Sequence, residues 1–131
     1  MKLDIITPGK QIFSGEAEMV VLPGEAGEMG VLSGHAPVIT TLQAGSLLSV
    51  YEGSNVTNRF FIYGGFAEVN QTNCSVLATE VDDLSKVTKT EIEERISKAE
   101  VKAKLADNEF DRKRAEETIE LNKNLLEKLA A

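Results

Sequence analysis

The sequence predicts an antiparallel β-sandwich or barrel followed by an α-helical hairpin. Residues 1–83 hold all ten glycines, all three prolines and every aromatic residue except Phe110. Residues 84–131 contain neither glycine nor proline. Because both residue types interrupt helices, this change in composition predicts a boundary, with a β domain over 1–85 and a helical hairpin over 86–131.

Six runs in the front region have the composition of strands, being rich in β-branched and aromatic residues or alternating apolar with polar positions. They comprise Leu3 with Ile5, 19–22, 47–51, 56–63, 67–69 and 75–79. Turn residues separate the later runs, so the segments from residue 56 onward are expected to form a meander with hairpin turns. Many short strands at near-regular spacing are typical of a sandwich or barrel.

Glycines recur every third residue over 24–30. A glycine-rich loop can hold a phosphate when a lysine and a hydroxyl residue, or a helix N-terminus, follow it. This segment instead carries Glu25 and Glu28, whose carboxylates repel phosphate, and residues 31–37 do not read as a helix. We therefore expect a structured loop between strands here.

The rear region begins with a capping box, in which the Thr88 hydroxyl accepts from the Glu91 amide. An apolar stripe at helical spacing follows, formed by Ile92, Ile96, Ala99 and Ala103. Residues 106–109 interrupt the pattern, and either Asp107 or Asn108 is a suitable cap for a second helix. A short link between two helices predicts an antiparallel hairpin.

The second predicted helix has a weaker apolar stripe, which consists of Ala115, Ile119, Leu126 and Leu129. Asn122 falls in the middle of this stripe, while Phe110, Leu121 and Leu125 lie along one flank. Alanine is prominent in the first helix, so the packing energy per turn is low. The hairpin is therefore expected to be marginal by itself and able to rearrange.

No catalytic or metal-binding constellation is found. His35 is the only histidine and Cys74 the only cysteine, which is too few for a zinc site and leaves no local triad. A hydrogen-bonded histidine at a turn or interface and a pH-sensing histidine both remain open. Cys74 is expected to be a small buried or half-buried residue, and a single cysteine fits a reducing compartment. No cofactor is predicted.

Charge is unevenly distributed along the chain. Residues 1–83 carry three basic and ten acidic groups, so they hold the whole net charge of −7. Such a surface repels nucleic acid and favours a basic partner, although plain solubility explains it equally well. No run approaches the roughly 18 apolar residues of a spanning helix, so no direct membrane span is predicted. The first residues do not read as a signal peptide.

The stretch Val21-Leu22-Pro23-Gly24-Glu25-Ala26-Gly27-Glu28-Met29-Gly30-Val31-Leu32-Ser33-Gly34-His35-Ala36-Pro37-Val38-Ile39-Thr40 closely resembles the signature of the epsilon subunit family of F-type ATP synthases. The resemblance continues through 61–69 and into a tail segment that opens with Phe110-Asp111-Arg112-Lys113-Arg114. It covers essentially the whole chain in order.

The resemblance implies a ten-stranded β-sandwich that binds the gamma subunit and rests on the ring of c subunits. It further implies a rotor subunit that couples proton flow to ATP synthesis and performs no catalysis itself. Glu28 matches the acid that approaches an arginine-bearing loop of the c ring, and His35 matches a histidine near the gamma contact. Peripheral attachment at the cytoplasmic face of a bacterial plasma membrane is the expected location. The alternative is a free-standing sandwich module with a helical oligomerisation tail.

The tail departs from family members that bind ATP. The first helix lacks their opening motif, and the second-helix arginine positions fall at Leu121 and Leu125, which cannot neutralise a triphosphate. No nucleotide binding is therefore expected, although Asp111–Arg114 mimics part of that site. The family's tail can contact the catalytic alpha/beta subunits and inhibit hydrolysis. The basic cluster of Arg112, Lys113 and Arg114 is either a contact to an acidic segment of the beta subunit or a solvated helix face.

Overall fold

The computed structural model describes residues 1–131, which separate into two units, Met1–Ser85 and Lys86–Ala131. The first unit contains ten strands: β1 (Lys2–Thr7), β2 (Lys10–Glu16), β3 (Met19–Gly24), β4 (Gly27–Leu32), β5 (Val38–Leu42), β6 (Ser46–Glu52), β7 (Asn55–Ile62), β8 (Gly65–Val69), β9 (Asn73–Ala78) and β10 (Val81–Asp83). The second unit contains two helices, α1 (Lys89–Leu105) and α2 (Glu109–Ala130). The predicted fold class is confirmed.

The ten strands form two sheets that share one short junction. The first sheet has the order β10-β7-β6-β3, with β4 on the other side of β3, and the second has the order β5-β8-β9-β1-β2. They join only where Gly24 of β3 pairs with Leu42 of β5. Almost every pair is antiparallel, as predicted, and β1 and β9 are the exception because they pair in parallel.

The chain passes from one sheet to the other at Gly64 and Gly65. β7 pairs with β6 and β10, whereas β8 pairs with β5 and β9, so the predicted meander from residue 56 onward is wrong at its first step. Gly65 has a φ of 137°, and a Cβ at this position would lie 2.2 Å from the Leu77 carbonyl oxygen. Only glycine fits this crossing, because both the dihedral angle and the contact exclude a side chain.

The core of the first unit lies between the two sheets. Alternate side chains of the central strands point inward, among them Leu3 and Ile5 of β1, Leu48 of β6 and Phe60 of β7, all with no exposed surface. Phe13 packs edge-on against Phe60 with ring centroids 5.4 Å apart. Because side chains of a strand alternate between faces, the residues between these point to the opposite face of each sheet.

The glycine-rich segment is mostly a strand, and not the loop that the sequence predicted. Residues Gly27–Leu32 form β4, which pairs antiparallel with β3, and only Glu25 and Ala26 make the turn. A Cβ on Gly24 would lie 2.7 Å from the Gly27 carbonyl oxygen, and Gly27 has a φ of 134°. The glycines thus permit a tight hairpin between two strands.

Both helices begin at side-chain caps. The Thr88 hydroxyl accepts from the Glu91 amide at 3.2 Å, as predicted, and Asn108 is the residue that caps α2, accepting from the Asp111 amide at 2.8 Å. The buried positions of the pair are few: Ile92 and Ala99 on α1, and Ala115, Asn122 and Leu125 on α2. Leu125, predicted on the flank, is fully buried. Neither helix is long and apolar enough to cross a membrane.

Candidate protein-interaction site

Three exposed apolar side chains lie side by side on the outer face of the second sheet. Ile6 of β1 pairs in register with Leu77 of β9, and Leu77 pairs with Phe66 of β8. Their exposed fractions are 36%, 38% and 42% respectively. Since neighbouring strands are about 4.8 Å apart, the three side chains span about 10 Å across the sheet. We call Ile6, Leu77 and Phe66 the apolar row.

A polar residue lies at each end of the apolar row, on the next strand of the sheet and in register with it. Gln11 of β2 pairs with Ile6, and Thr41 of β5 pairs with Phe66; both are exposed. Ile39, two residues before Thr41 on the same face of β5, is 69% exposed and pairs with Glu68. An apolar centre with a polar border is the usual anatomy of a protein–protein contact.

Sequence reasoning did not identify the apolar row. The alternation in β8 places Phe66 and Glu68 on one face and the buried Ala67 and Val69 on the other, so the outward direction of Phe66 could have been read from the strand alone. The row itself depends on pairing between β1 and β9, which are more than sixty residues apart in sequence. No local pattern specifies such a pairing.

His35 lies at the beginning of the segment that enters β5, at one edge of the second sheet. Its amide donates to the Leu32 carbonyl at 3.1 Å, and the Gly34 amide donates to the Gln71 carbonyl at 2.7 Å. The ring Nδ1 lies 2.7 Å from the Ala36 carbonyl oxygen. Because a carbonyl can only accept, Nδ1 is the donor in this contact, and Nε2 is left to contact a partner.

Glu28 is exposed on β4, next to the turn of the β3–β4 hairpin, where it pairs with Pro23. The Glu25 amide donates to the Thr41 carbonyl at 2.9 Å, which fixes the hairpin turn to β5. The carboxylate of Glu28 has no hydrogen bond or ion pair within the chain. An exposed carboxylate on an anchored hairpin suits an arginine fork, which binds a carboxylate through two parallel hydrogen bonds.

The predicted basic cluster does not form one basic face. Arg112 is paired with Glu109 and lies 3.8 Å from Glu116, both on its own helix. The Arg114 guanidinium lies 5.8 Å from the centre of the Phe110 ring. Three consecutive helical residues point in three directions about 100° apart. Lys113 is therefore the member of the cluster whose charge is not engaged by a neighbour within the chain.

The tail segment that resembles part of an ATP-binding motif, Asp111–Arg114, makes contacts within the chain. Asp111 is hydrogen-bonded to the Asn108 cap through both its amide and its carboxylate. Leu125 has no exposed surface and Leu121 is half-buried. These positions thus offer no cation to a triphosphate, and the predicted lack of nucleotide binding stays a prediction.

A cleft of about 450 Å³ in the first unit is lined by three carboxylates, those of Glu16, Glu18 and Glu52, together with Leu32. Glu16 is paired with the Met1 ammonium at 3.1 Å, and Glu18 accepts from the Gly53 amide at 2.6 Å. A cleft of this charge disfavours phosphate ligands. No group of three metal-ligating side chains is present.

Cys74 is buried in the core, as predicted. Burial raises the pKa of its thiol to about 11, because a thiolate loses its solvation inside the sheet. A thiol of this kind is unreactive at neutral pH, so Cys74 contributes to packing.

Residues 1–82 match the family model of the ATP synthase delta/epsilon chain β-sandwich domain. Curated relatives include the ATP synthase epsilon chains of Granulibacter bethesdensis, 41% identical over 74% of this chain and 71% of that protein, and of Rhodospirillum rubrum, 34% identical over 95% and 92%. Among solved structures, a chain of the Euglena gracilis mitochondrial ATP synthase matches with a TM-score of 0.72 and 27% identity, covering 97% of this chain and 79% of that one. A chain of the Tetrahymena thermophila enzyme, 16% identical with a TM-score of 0.57, shares the fold.

Proposed function

The chain belongs to the ATP synthase epsilon-chain family, and we propose that it is a non-catalytic subunit of the rotating central stalk, joining the gamma subunit to the c ring. It transmits torque from the ring while protons flow and ATP is made elsewhere in the complex. The observation that carries this proposal is the apolar row. A subunit that only binds its neighbours needs an apolar contact surface and no catalytic residues.

The gamma subunit is the proposed occupant of the apolar row. Phe66 is the widest side chain of the row and supplies an aromatic anchor, the residue type enriched at the energetic centres of interfaces. His35 lies at the edge of the same sheet, so a partner that covers the row and extends along β5 would meet the free Nε2. We propose Nε2 as a polar contact at the border of the gamma interface.

The c ring is the proposed partner of Glu28. The residue lies on β4, the edge strand of the first sheet, whereas the apolar row lies on the second sheet. Two partners can therefore bind the same unit without competing for one surface. The net charge of −7 on residues 1–83 supports a cationic partner loop, because opposite charge speeds encounter and suppresses incorrect partners.

The helical unit is the proposed regulatory part, contacting the catalytic alpha/beta subunits through Lys113, with Arg112 and Arg114 beside it. Deletion of residues 87–131 should raise ATP hydrolysis by the reassembled enzyme. Substituting Lys113→Glu in the full chain should do the same if the contact is electrostatic, and Lys123→Glu on the same helix is the matched control. An unchanged hydrolysis rate in the deletion would exclude an inhibitory tail.

In this assembly the chain is held peripherally at the cytoplasmic face of a bacterial plasma membrane, through the c ring and without a span of its own. Its bacterial relatives support this location. The free-standing module with an oligomerising tail is not favoured, because relatives that match over more than nine-tenths of the chain are ATP synthase epsilon chains.

Co-purification tests the proposal directly. The full chain, gamma and detergent-solubilised c ring are mixed, and the chain is expected to elute with both partners. A cysteine in place of Glu28 should crosslink to the polar loop of the c subunit, whereas a cysteine in place of Glu100 on α1 serves as a control. If the chain elutes alone, or as an oligomer of itself, the rotor assignment is wrong.

A further inference from the structure

Asn122 is the only polar residue among the buried side chains, with 3% of its surface exposed. It lies seven residues beyond Ala115 and three before Leu125, which places all three on one face of α2. Its Nδ2 donates to the Thr118 carbonyl of its own helix at 2.9 Å. Its Oδ1 is buried and has no hydrogen-bond partner.

The orphaned atom does not result from the orientation assigned to the amide. Turning the amide over would place Oδ1 against the Thr118 carbonyl oxygen, and the buried Nδ2 would then lack an acceptor. Either way, one polar atom of Asn122 loses its water on folding and gains nothing in return. Such a group is among the more costly features a small packed unit can contain.

The free-energy cost at Asn122 falls on a helix pair with few buried side chains. The helices pack against each other, and the seam between them has five buried positions, namely Ile92, Ala99, Ala115, Asn122 and Leu125. Two of these are alanines, so the apolar burial depends mainly on Ile92 and Leu125, which have no exposed surface.

We propose that Asn122 weakens the packing of α1 against α2, so that the two helices separate more readily than they would with an apolar residue at this position. The unpartnered Oδ1 is solvated as soon as the helices part, which lowers the free energy of the open state relative to the closed one. The residue acts as a conformational device, and this inference does not depend on the proposed function.

Hydrogen exchange of the full chain, read by mass spectrometry, measures the opening directly. Asn122→Leu is expected to slow exchange of the amides on both facing helix segments by about tenfold or more, because the unsatisfied acceptor is removed. Helix propensity alone accounts for only about a twofold change. Lys123→Leu, which adds the same side chain at an exposed neighbouring position, is the matched control and should leave exchange within about twofold.

A second variant keeps the test decisive if leucine does not fit the seam. Asn122→Asp has the same size and nearly the same helix propensity, but it replaces the donor by a second acceptor beside the Thr118 carbonyl, so exchange should accelerate by about tenfold or more. Exchange in the sandwich should be unaltered in every variant. The proposal is overturned if neither Asn122 variant changes hairpin exchange beyond the Lys123→Leu control, or if sandwich and hairpin respond alike.

Discussion

Truncating Phe66 to alanine should weaken binding of gamma without unfolding the chain. The side chain is 42% exposed, and with roughly 200 Å² for a whole phenylalanine side chain, about 85 Å² remains to be buried by a partner. At about 25 cal/mol per Å² this corresponds to about 2 kcal/mol, or roughly a 30-fold rise in Kd. The inward neighbours Ala67 and Val69 carry the core contacts of β8, so the fold should persist.

Calorimetric titration of gamma into the purified chain measures this change. Val56→Ala is the control, because Val56 is 45% exposed and lies on β7 of the first sheet, away from the apolar row; its effect should be less than about threefold. Thermal unfolding of each variant confirms that the fold is intact. An unchanged Kd for Phe66→Ala, or an equal loss for Val56→Ala, would show that gamma does not bind the apolar row.

Three further predictions concern the interior and the tail. Gly65→Ala should lower the free energy of unfolding by about 3 kcal/mol, measured by urea unfolding, through overpacking and backbone strain. The control is Gly53→Ala, because Gly53 has a φ of 62° and a Cβ there would meet nothing within 4 Å; it should lower the free energy of unfolding by only about 1 kcal/mol. Equal losses in the two variants would contradict the steric argument. Because the pKa of Cys74 is raised, the folded chain binds more protons than the unfolded chain between pH 9 and about 11. The free energy of unfolding should therefore fall as the pH rises through that window. The fall should be smaller in Cys74→Ala. Calorimetry with ATP should detect no binding to the isolated chain, and tight binding would contradict the reading of Leu121 and Leu125.

Features that depend on a few neighbouring residues could be predicted from the sequence. Thr88 and Glu91 form their capping contact because both partners lie within one turn of the same helix, and tertiary packing is not needed to bring them together. The change from a glycine-containing to a glycine-free region likewise separated strands from helices. Asp107 and Asn108 both suit the second cap by residue type, and the structure selects Asn108 through its contact with the Asp111 amide.

Features that depend on distant pairing could not be predicted. The glycine spacing over 24–30 suggested a loop, because glycine is rare inside strands, and the hairpin of β3 with β4 appears only once the register is known. By sequence, Arg112, Lys113 and Arg114 form one basic cluster. The ion pair of Arg112 with Glu109 and the contact of Arg114 with the Phe110 ring depend on the directions of the side chains around the helix.

The sequence by itself determined the division into a strand region followed by two helices, and the family, since these follow from local composition and from a contiguous motif. Only the tertiary structure decided that β1 lies parallel to β9, and hence that Ile6, Leu77 and Phe66 form one exposed row. It also decided that the amide of Asn122 is enclosed with one atom unpartnered. Burial and register arise from contacts between residues far apart in the chain, which no local pattern of side chains encodes.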